Sequence, residues 1–217
     1  MDNGDIDKVF SILEEEVSAF RVPIVGRVAA EKDSFKVLIS TMLSLRTKDK
    51  VTEEATTRLF SIAPGPKEMS CLDIHAIEDA IYPVGFYKTK ARNIKRVSSI
   101  ILERYNGRVP GTMEGLLELP GVGRKTANLV LTLGFNTMGI CVDTHVMRIT
   151  NRWGYVSTKN AFETEMKLRK VLPKKYWKRI NDLLVTYGQN LCTPISPFCS
   201  KCRLRLYCDR VGVKSSR

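Results

Sequence analysis

Leu119-Pro120-Gly121-Val122-Gly123-Arg124-Lys125-Thr126 lies between two helical patterns, Met113 to Glu118 and Lys125 to Leu133. The stretch reads as a tight turn joining two short helices. Its two glycines are expected to adopt backbone conformations closed to other residues and to let another backbone approach closely. The second helix then begins with unpaired amide N–H groups and the positive end of its dipole facing outward, a ready place for a phosphate. Such a turn grips a nucleic-acid backbone without reading its sequence. A nucleotide-binding P-loop needs four residues between its glycines and a preceding strand; here one residue separates Gly121 from Gly123 and no strand precedes them. A plain turn between packed helices accounts for the glycines but leaves Arg124 and Lys125 unexplained at the end that attracts anions.

Working outward, helical periodicity dominates. Ile6, Val9, Phe10, Leu13, Val17 and Phe20 share one face at i, i+3/4, i+7 spacing. Val51, Ala55, Leu59 and Ile62 form a second stripe ended by Pro64-Gly65-Pro66. Ile74, Ile77 and Ile81 form a third, and Ala91, Ile94, Val97 and Ile101 a fourth closed by Asn106-Gly107. Asn160 with Glu163 has the spacing of a capping box, and Trp177, Ile180, Leu184 and Tyr187 continue a helical face up to Gly188. Strand patterns are nearly absent, so the expected class is all-α. No repeat, low-complexity segment or long linker occurs, so two domains would have to pack closely.

The chain is long enough, at 217 residues with 43% hydrophobic content, to bury a core as one large domain or two smaller ones. Thirty-five Lys and Arg against twenty-three Asp and Glu leave a net charge of +12, which makes a polyanion the natural partner. The surplus gathers at Lys48 to Lys50, Lys88 to Arg96 and Lys167 to Arg179, within the folded part, so it should form surfaces. No signal-like segment stands at the start and no run of about 18 apolar residues occurs. These features predict an intracellular protein without a membrane span.

Lys125 and Asp143 carry the candidate chemistry. A lysine is a nucleophile only as the neutral amine, so its pKa must fall through desolvation or neighbouring positive charge. Lys125 is expected in the first turn of a helix, beside Arg124, where both influences act. Eighteen residues on comes Val142-Asp143-Thr144-His145-Val146, with Asp143 just before the apolar positions Val146 and Ile149 of a new helix. Helix capping alone would explain an aspartate there, and a capped carboxylate is also held still, as catalysis requires. His145 reads as a satisfied structural group.

Cys192, Cys199, Cys202 and Cys208 are spaced C-x6-C-x2-C-x5-C, while Cys71 and Cys141 stand alone. Four thiolates this close can wrap one centre, and an intracellular chain disfavours disulfides. Zinc usually recruits two separated C-x2-C pairs and only one is present, so spacing leaves zinc and an iron–sulfur cubane both open. With all four positions filled by protein, either centre would be structural.

Together these residues resemble the endonuclease III branch of the helix-hairpin-helix family of DNA glycosylases. The likeness rests on Leu119 to Asn128, on Val142-Asp143-Thr144-His145 followed by Arg148, on the terminal cysteine spacing, and on Gly85-Phe86-Tyr87 with Lys90-Ala91. It runs over nearly the whole chain. The resemblance implies a [4Fe–4S] cluster on Cys192, Cys199, Cys202 and Cys208. It further implies two packed helical domains with the active site in the cleft between them. One is a six-helix domain over 26–137 bearing the hairpin; the other is a discontinuous cluster domain from 1–25 and 138–217.

By the same resemblance the chain is a bifunctional base excision enzyme. Lys125 attacks C1′ of a flipped-out nucleoside, an oxidised pyrimidine such as thymine glycol leaves, and a Schiff base permits β-elimination of the 3′ phosphate. Asp143 supports the developing sugar cation. The implied partner is double-stranded DNA with a damaged or abasic nucleotide, bound by a monomer in the cytoplasm at the nucleoid. DNA contacts are expected at Gly121, Val122, Gly123 and Arg124, and at the side chains that fill the space left by the extruded base. In the family that space takes a glutamine and a wedge in a G-L-Y turn; here the places hold Arg46 and Phe86. The family's basic residues between its first two cysteines are absent, and Lys201, Arg203 and Arg205 are expected to replace them. A thymine or uracil mismatch glycosylase shares this scaffold, although Lys125 argues against it, and a non-catalytic DNA-binding module would leave the pairing of Lys125 with Asp143 unexplained.

Overall fold

The computed structural model describes residues 4–20 and 33–217, and among these no β-strand occurs. In chain order the α-helices are α1 (Ile6–Ser18), α2 (Ser34–Ser44), α3 (Asp49–Ile62), α4 (Pro66–Cys71), α5 (Ile74–Ile81) and α6 (Tyr87–Tyr105). They continue with α7 (Met113–Leu117), α8 (Arg124–Leu129), α9 (Thr144–Arg152), α10 (Ala161–Val171) and α11 (Ile180–Asn190). The chain forms two compact units, one spanning Ile24–Gly139 and the other combining Met1–Pro23 with Ile140–Arg217. The expected domain boundary at 25/26 lies outside the described residues.

Within the Ile24–Gly139 unit the predicted stripes turn inward. Ala91, Ile94, Val97 and Ile101 of α6 are all fully buried, as are Ala55 and Leu59 of α3 and Ile77 and Ile81 of α5. Ile62, by contrast, ends its helix 48% exposed. Helix α2 sits at the centre of this core, packed on α3 and α6. Its Phe35, Val37, Leu38, Ile39, Met42 and Leu43 are buried around nearly the whole circumference. A helix buried on all sides shows no amphipathic stripe, so periodicity does not single it out. Its polar members are absorbed locally, Thr41 Oγ1 donating to Val37 O at 2.7 Å and Ser40 Oγ to the same carbonyl at 3.1 Å.

In the other unit, α1 and α9 both pack on α11. Ile6, Val9, Phe10 and Leu13 meet Val146, Ile149, Trp153, Leu168, Ile180, Leu184 and Tyr187 in one core. Each large side chain so buried contributes about 1.5–3 kcal/mol. Phe10 stacks on Tyr176 with centroids 3.8 Å apart. The polar side of α1 is acidic and pairs with basic residues of the same unit: Asp7 with Lys175, Glu14 with Arg179, and Glu15 and Glu16 with Arg203. Asn160 caps α10 as its spacing predicts, Oδ1 accepting from the Glu163 N–H at 2.9 Å, while Glu163 reaches one residue further back than a capping box requires, to the Lys159 N–H at 2.9 Å. Helix α11 runs through Gly188 instead of ending there, because the glycine serves packing. A Cβ at 188 would lie 2.4 Å from His145 Nδ1 and 2.8 Å from Arg148 Nη2.

Candidate active site and cysteine loop

Helix α7 ends at Leu117, the turn folds back with Val122 N donating to Leu119 O at 3.1 Å, and α8 starts at Arg124 with Gly123 as its N-cap. Only Gly121 needs a glycine for conformation, with φ +79; a Cβ there would also strike the Asn93 amide at 2.6 Å. Gly123 corrects the expectation for a second special conformation. It is extended, at φ −97 and ψ 177, and a Cβ would meet nothing within 4 Å. Val122 points into the core at 7% exposure with its N–H already used inside the turn. It anchors the hairpin and offers no side chain to a ligand. Lys125 is the second residue of α8 and, like Arg124, is half-buried. From Val130 to Gly134 the helix widens into a π turn, where the buried Thr132 hydroxyl donates to Asn128 O at 2.6 Å and to Leu129 O at 3.1 Å. Such side-chain bonds compete with the regular helical ladder.

Arg46 and Phe86 come together in the same unit. Both are exposed and both adopt left-handed backbone, φ 55 and φ 59, a conformation costing a non-glycine residue about 1–2 kcal/mol. The Arg46 guanidinium carbon lies 5.6 Å from the centroid of the Phe86 ring, and Phe86 is 63% exposed. Gly85 lets the two turns touch, since a Cβ there would sit 2.6 Å from the Arg46 carbonyl oxygen. Its N–H donates to Thr47 Oγ1 at 3.2 Å. Gly85→Ala must therefore push backbone from backbone, and should lower stability by on the order of 2 kcal/mol, a fall of about 5 °C in Tm. Calorimetry checks this, and an unchanged Tm contradicts the close approach.

Below them is a residue that sequence reading used only as part of a motif. Lys90, 8% exposed, donates its ammonium to Leu43 O at 2.7 Å, Leu45 O at 2.6 Å and Thr47 Oγ1 at 3.2 Å. Burial pulls its pKa down to about 8. The carbonyls it caps are those left unpaired at the C-terminal end of α2, where the helix dipole favours a cation.

Asp143 is the N-cap of α9. Its Oδ1 accepts from the His145 and Val146 N–H groups, each at 2.9 Å. The side chain is half-buried. His145 faces Arg148 Nη2 at 3.1 Å through Nδ1; a guanidinium only donates, so Nδ1 accepts and the ring is a structural partner. Lys125 and Asp143 belong to different units.

The four cysteines line one cavity with Arg152, Trp153, Tyr187, Leu191 and Phe198. Arg152 Nη1 approaches Cys192 Sγ at 3.3 Å and donates to Thr193 O at 2.8 Å, while Nη2 donates to Pro194 O at 2.7 Å. Tyr187 Oη and Cys202 Sγ are 2.8 Å apart. Burial raises the Cys202 thiol and pushes Cys208 up to about 11, so holding these two as thiolates calls for a positive centre beside them. Arg148 adds bonds from Nη2 to Gly188 O and Cys192 O at 3.2 and 2.9 Å. The sequence did not single out Arg152, and it showed Tyr187 only as one position of a helical face. The one available signal was a basic pair at i, i+4, Arg148 and Arg152, beside the apolar positions Ile149 and Trp153. Of the basic residues placed after the second cysteine, Lys201 and Arg205 are exposed. Arg203, also exposed, is engaged by Glu15 at 2.8 Å.

Residues 39–174 match the family HhH-GPD, the HhH-GPD superfamily base excision DNA repair proteins. The chain belongs to this superfamily. This HhH-GPD protein is 45% identical over 195 residues to Endonuclease III of Thermotoga maritima, covering 90% of this chain and 92% of that one. Among solved structures it is similar to a non-covalent Endonuclease III–DNA complex, with a TM-score of 0.82 at 32% identity over 94% of this chain and 95% of that one. It is also similar to a trapped Endonuclease III–DNA covalent intermediate, with a TM-score of 0.77 at 35% identity, covering 82% of this chain and 84% of that one. The HhH-GPD chain is thus a base excision repair enzyme of the DNA glycosylase and AP lyase type. Among its described residues no helix is long and apolar enough to cross a membrane.

Proposed function

We propose that this enzyme acts on double-stranded DNA carrying an oxidised pyrimidine, with Lys125 as nucleophile and Asp143 as its carboxylate partner. The observation that carries the reading is the position of Lys125 as the second residue of α8, half-buried behind the Gly123 N-cap. The neutral amine forms a bond to C1′ as the bond from C1′ to the base breaks, and the base departs with the electron pair, taking up a proton. Loss of the amine proton and opening of the sugar leave a Schiff base between Nζ and C1′. Removal of a C2′ proton then expels the 3′ phosphate, and water releases the lysine. Asp143, its orientation locked by two backbone donors, stabilises positive charge growing on the sugar. The likeness to Endonuclease III bound to DNA, trapped covalently in one case, supports this chemistry.

The hairpin would take a DNA phosphate at Gly121, Gly123 and Arg124, with Val122 as its core anchor. Lys201, Arg203 and Arg205 would extend the contact, Arg203 by exchanging its exposed ion pair for phosphate, a small cost. Arg46 and Phe86 would enter the gap left by the extruded nucleotide. The hairpin-bearing domain would be the 26–137 segment, in a nucleoid-associated, cytoplasmic enzyme. Borohydride reduction on a thymine glycol duplex tests the core of this reading. A covalent enzyme–DNA adduct is expected; binding without any adduct would instead support a docking module.

Cys192, Cys199, Cys202 and Cys208 would hold a [4Fe–4S] cluster, which would supply a structural tie for the end of the chain. The residues fit it: four sulfurs line one cavity with few competing polar groups. Cys202→Ser should bleach the visible absorption of the purified protein and destabilise it by on the order of 3 kcal/mol, as expected from reopening a loop of this length. Loss of protease resistance confined to the segment after Leu191 would accompany it, and full retention of colour and stability would remove the assignment.

A further inference from the structure

We infer that Lys90 is a positioning residue for discrimination of the base opposite the lesion, holding Arg46 and Phe86 as one unit. The inference rests on the proposed entry of those two side chains into the duplex. Lys90 touches both turns at once. Its side chain binds Leu45 O and Thr47 Oγ1, the residues on either side of Arg46, while its backbone N–H donates to Phe86 O at 3.0 Å. Thr47 Oγ1 closes the loop by also accepting from the Gly85 N–H. An ammonium has three hydrogens, and here it meets three acceptors. The buried cation thus fixes the turn on either side of Arg46 directly, and reaches the Phe86 turn through Thr47 Oγ1 and the Gly85 N–H.

The clamp matters because of what it presents. A guanidinium only donates, so Arg46 favours an orphaned base that turns an acceptor toward the gap. Guanine carries a carbonyl oxygen at its 6-position where adenine carries an amino donor. Excision opposite guanine should therefore outpace excision opposite adenine, provided Arg46 is held on the Phe86 ring. Lys90→Met keeps the bulk and apolar stem but removes the three bonds, and frees Arg46 to wander.

The test uses single-turnover excision of the same oxidised pyrimidine opposite guanine and opposite adenine. Wild type is expected to prefer guanine. Arg46→Ala should abolish the preference, and Lys90→Met should reduce it by about fivefold, within the range of coupling between residues in contact. In the Arg46→Ala background, Lys90→Met should leave the ratio unchanged. Thr47→Val, which removes one acceptor of the clamp, should shift the ratio the same way by about twofold and decides the matter if Lys90→Met does not fold. If Arg46→Ala leaves the ratio intact, the reading of Arg46 is wrong and the clamp has nothing to position. If Arg46→Ala changes the ratio while Lys90→Met and Thr47→Val do not, the clamp alone is refuted. A Lys90→Met effect of equal size in both backgrounds would mark a general loss of structure and also overturn it.

Discussion

Lys125→Ala is expected to lower strand cleavage at a damaged base by at least about 10³-fold and to eliminate the borohydride adduct, while DNA affinity changes little. The reason is local. The amine is the group that bonds to carbon, and no other residue in the first turn of α8 offers one: Arg124 and Thr126 flank it, the first a guanidinium that keeps its proton. Affinity should persist because the hairpin backbone, Arg124 and the wider basic surface remain. Lys125→Arg separates charge from nucleophilicity, since it keeps the positive end yet cannot deprotonate. It should bind as wild type and remain inactive. Gel quantification of nicked product against filter binding provides the check, and wild-type nicking by either variant would refute the assignment.

The second large effect concerns Asp143, where capping and catalysis can be told apart. The carboxylate already satisfies two N–H groups at the start of α9, a role worth about 1 kcal/mol. Asparagine caps as well as aspartate but carries no charge. Asp143→Asn should therefore leave Tm within a degree or two, yet reduce the single-turnover rate by about 10²–10⁴-fold. Asp143→Ala should lose both, dropping the rate and about 1 kcal/mol of stability. An Asn variant with wild-type kinetics would leave Asp143 as a cap and nothing more.

Much of this fold could be read from residues close together in the chain. The faces of α1, α5 and α6, the Asn160 cap and the turn before Arg124 all depend on spacings of four residues or fewer. That is the range over which helix geometry brings side chains together. Helix α2 was not legible in this way, because burial on every side removes the stripe. Gly188 misled for a related reason. A glycine near the end of a helical pattern reads as a stop, whereas here it makes room for His145 and Arg148 from α9.

The candidate site divides along the same line. Lys125, Asp143 and the four cysteines could be singled out from residue type and spacing. Their use for this chemistry came from resemblance to a family. Lys90 was visible only as a letter in a motif, since a lysine in a helix is ordinarily a solvated charge. Arg203 shows a second limit. An exposed arginine near the cysteines was singled out for phosphate, but its ion pairs with the acidic row of α1, remote in sequence, were not legible.

Short-range pattern alone thus determined the helical class, the hairpin and the cysteine loop, for each is written within a few turns of chain. Only tertiary structure decided that Val122 is an anchor, that Arg152 serves the cysteine cavity, and that one buried ammonium on α6 binds Leu43, Leu45 and Thr47. Those facts depend on partners some forty residues apart, as from Lys90 to Thr47 and from Arg152 to Cys192. No local spacing encodes which distant carbonyl a buried cation will meet. Packing of the apolar faces selects it, and the cost of leaving such a charge without acceptors holds it there.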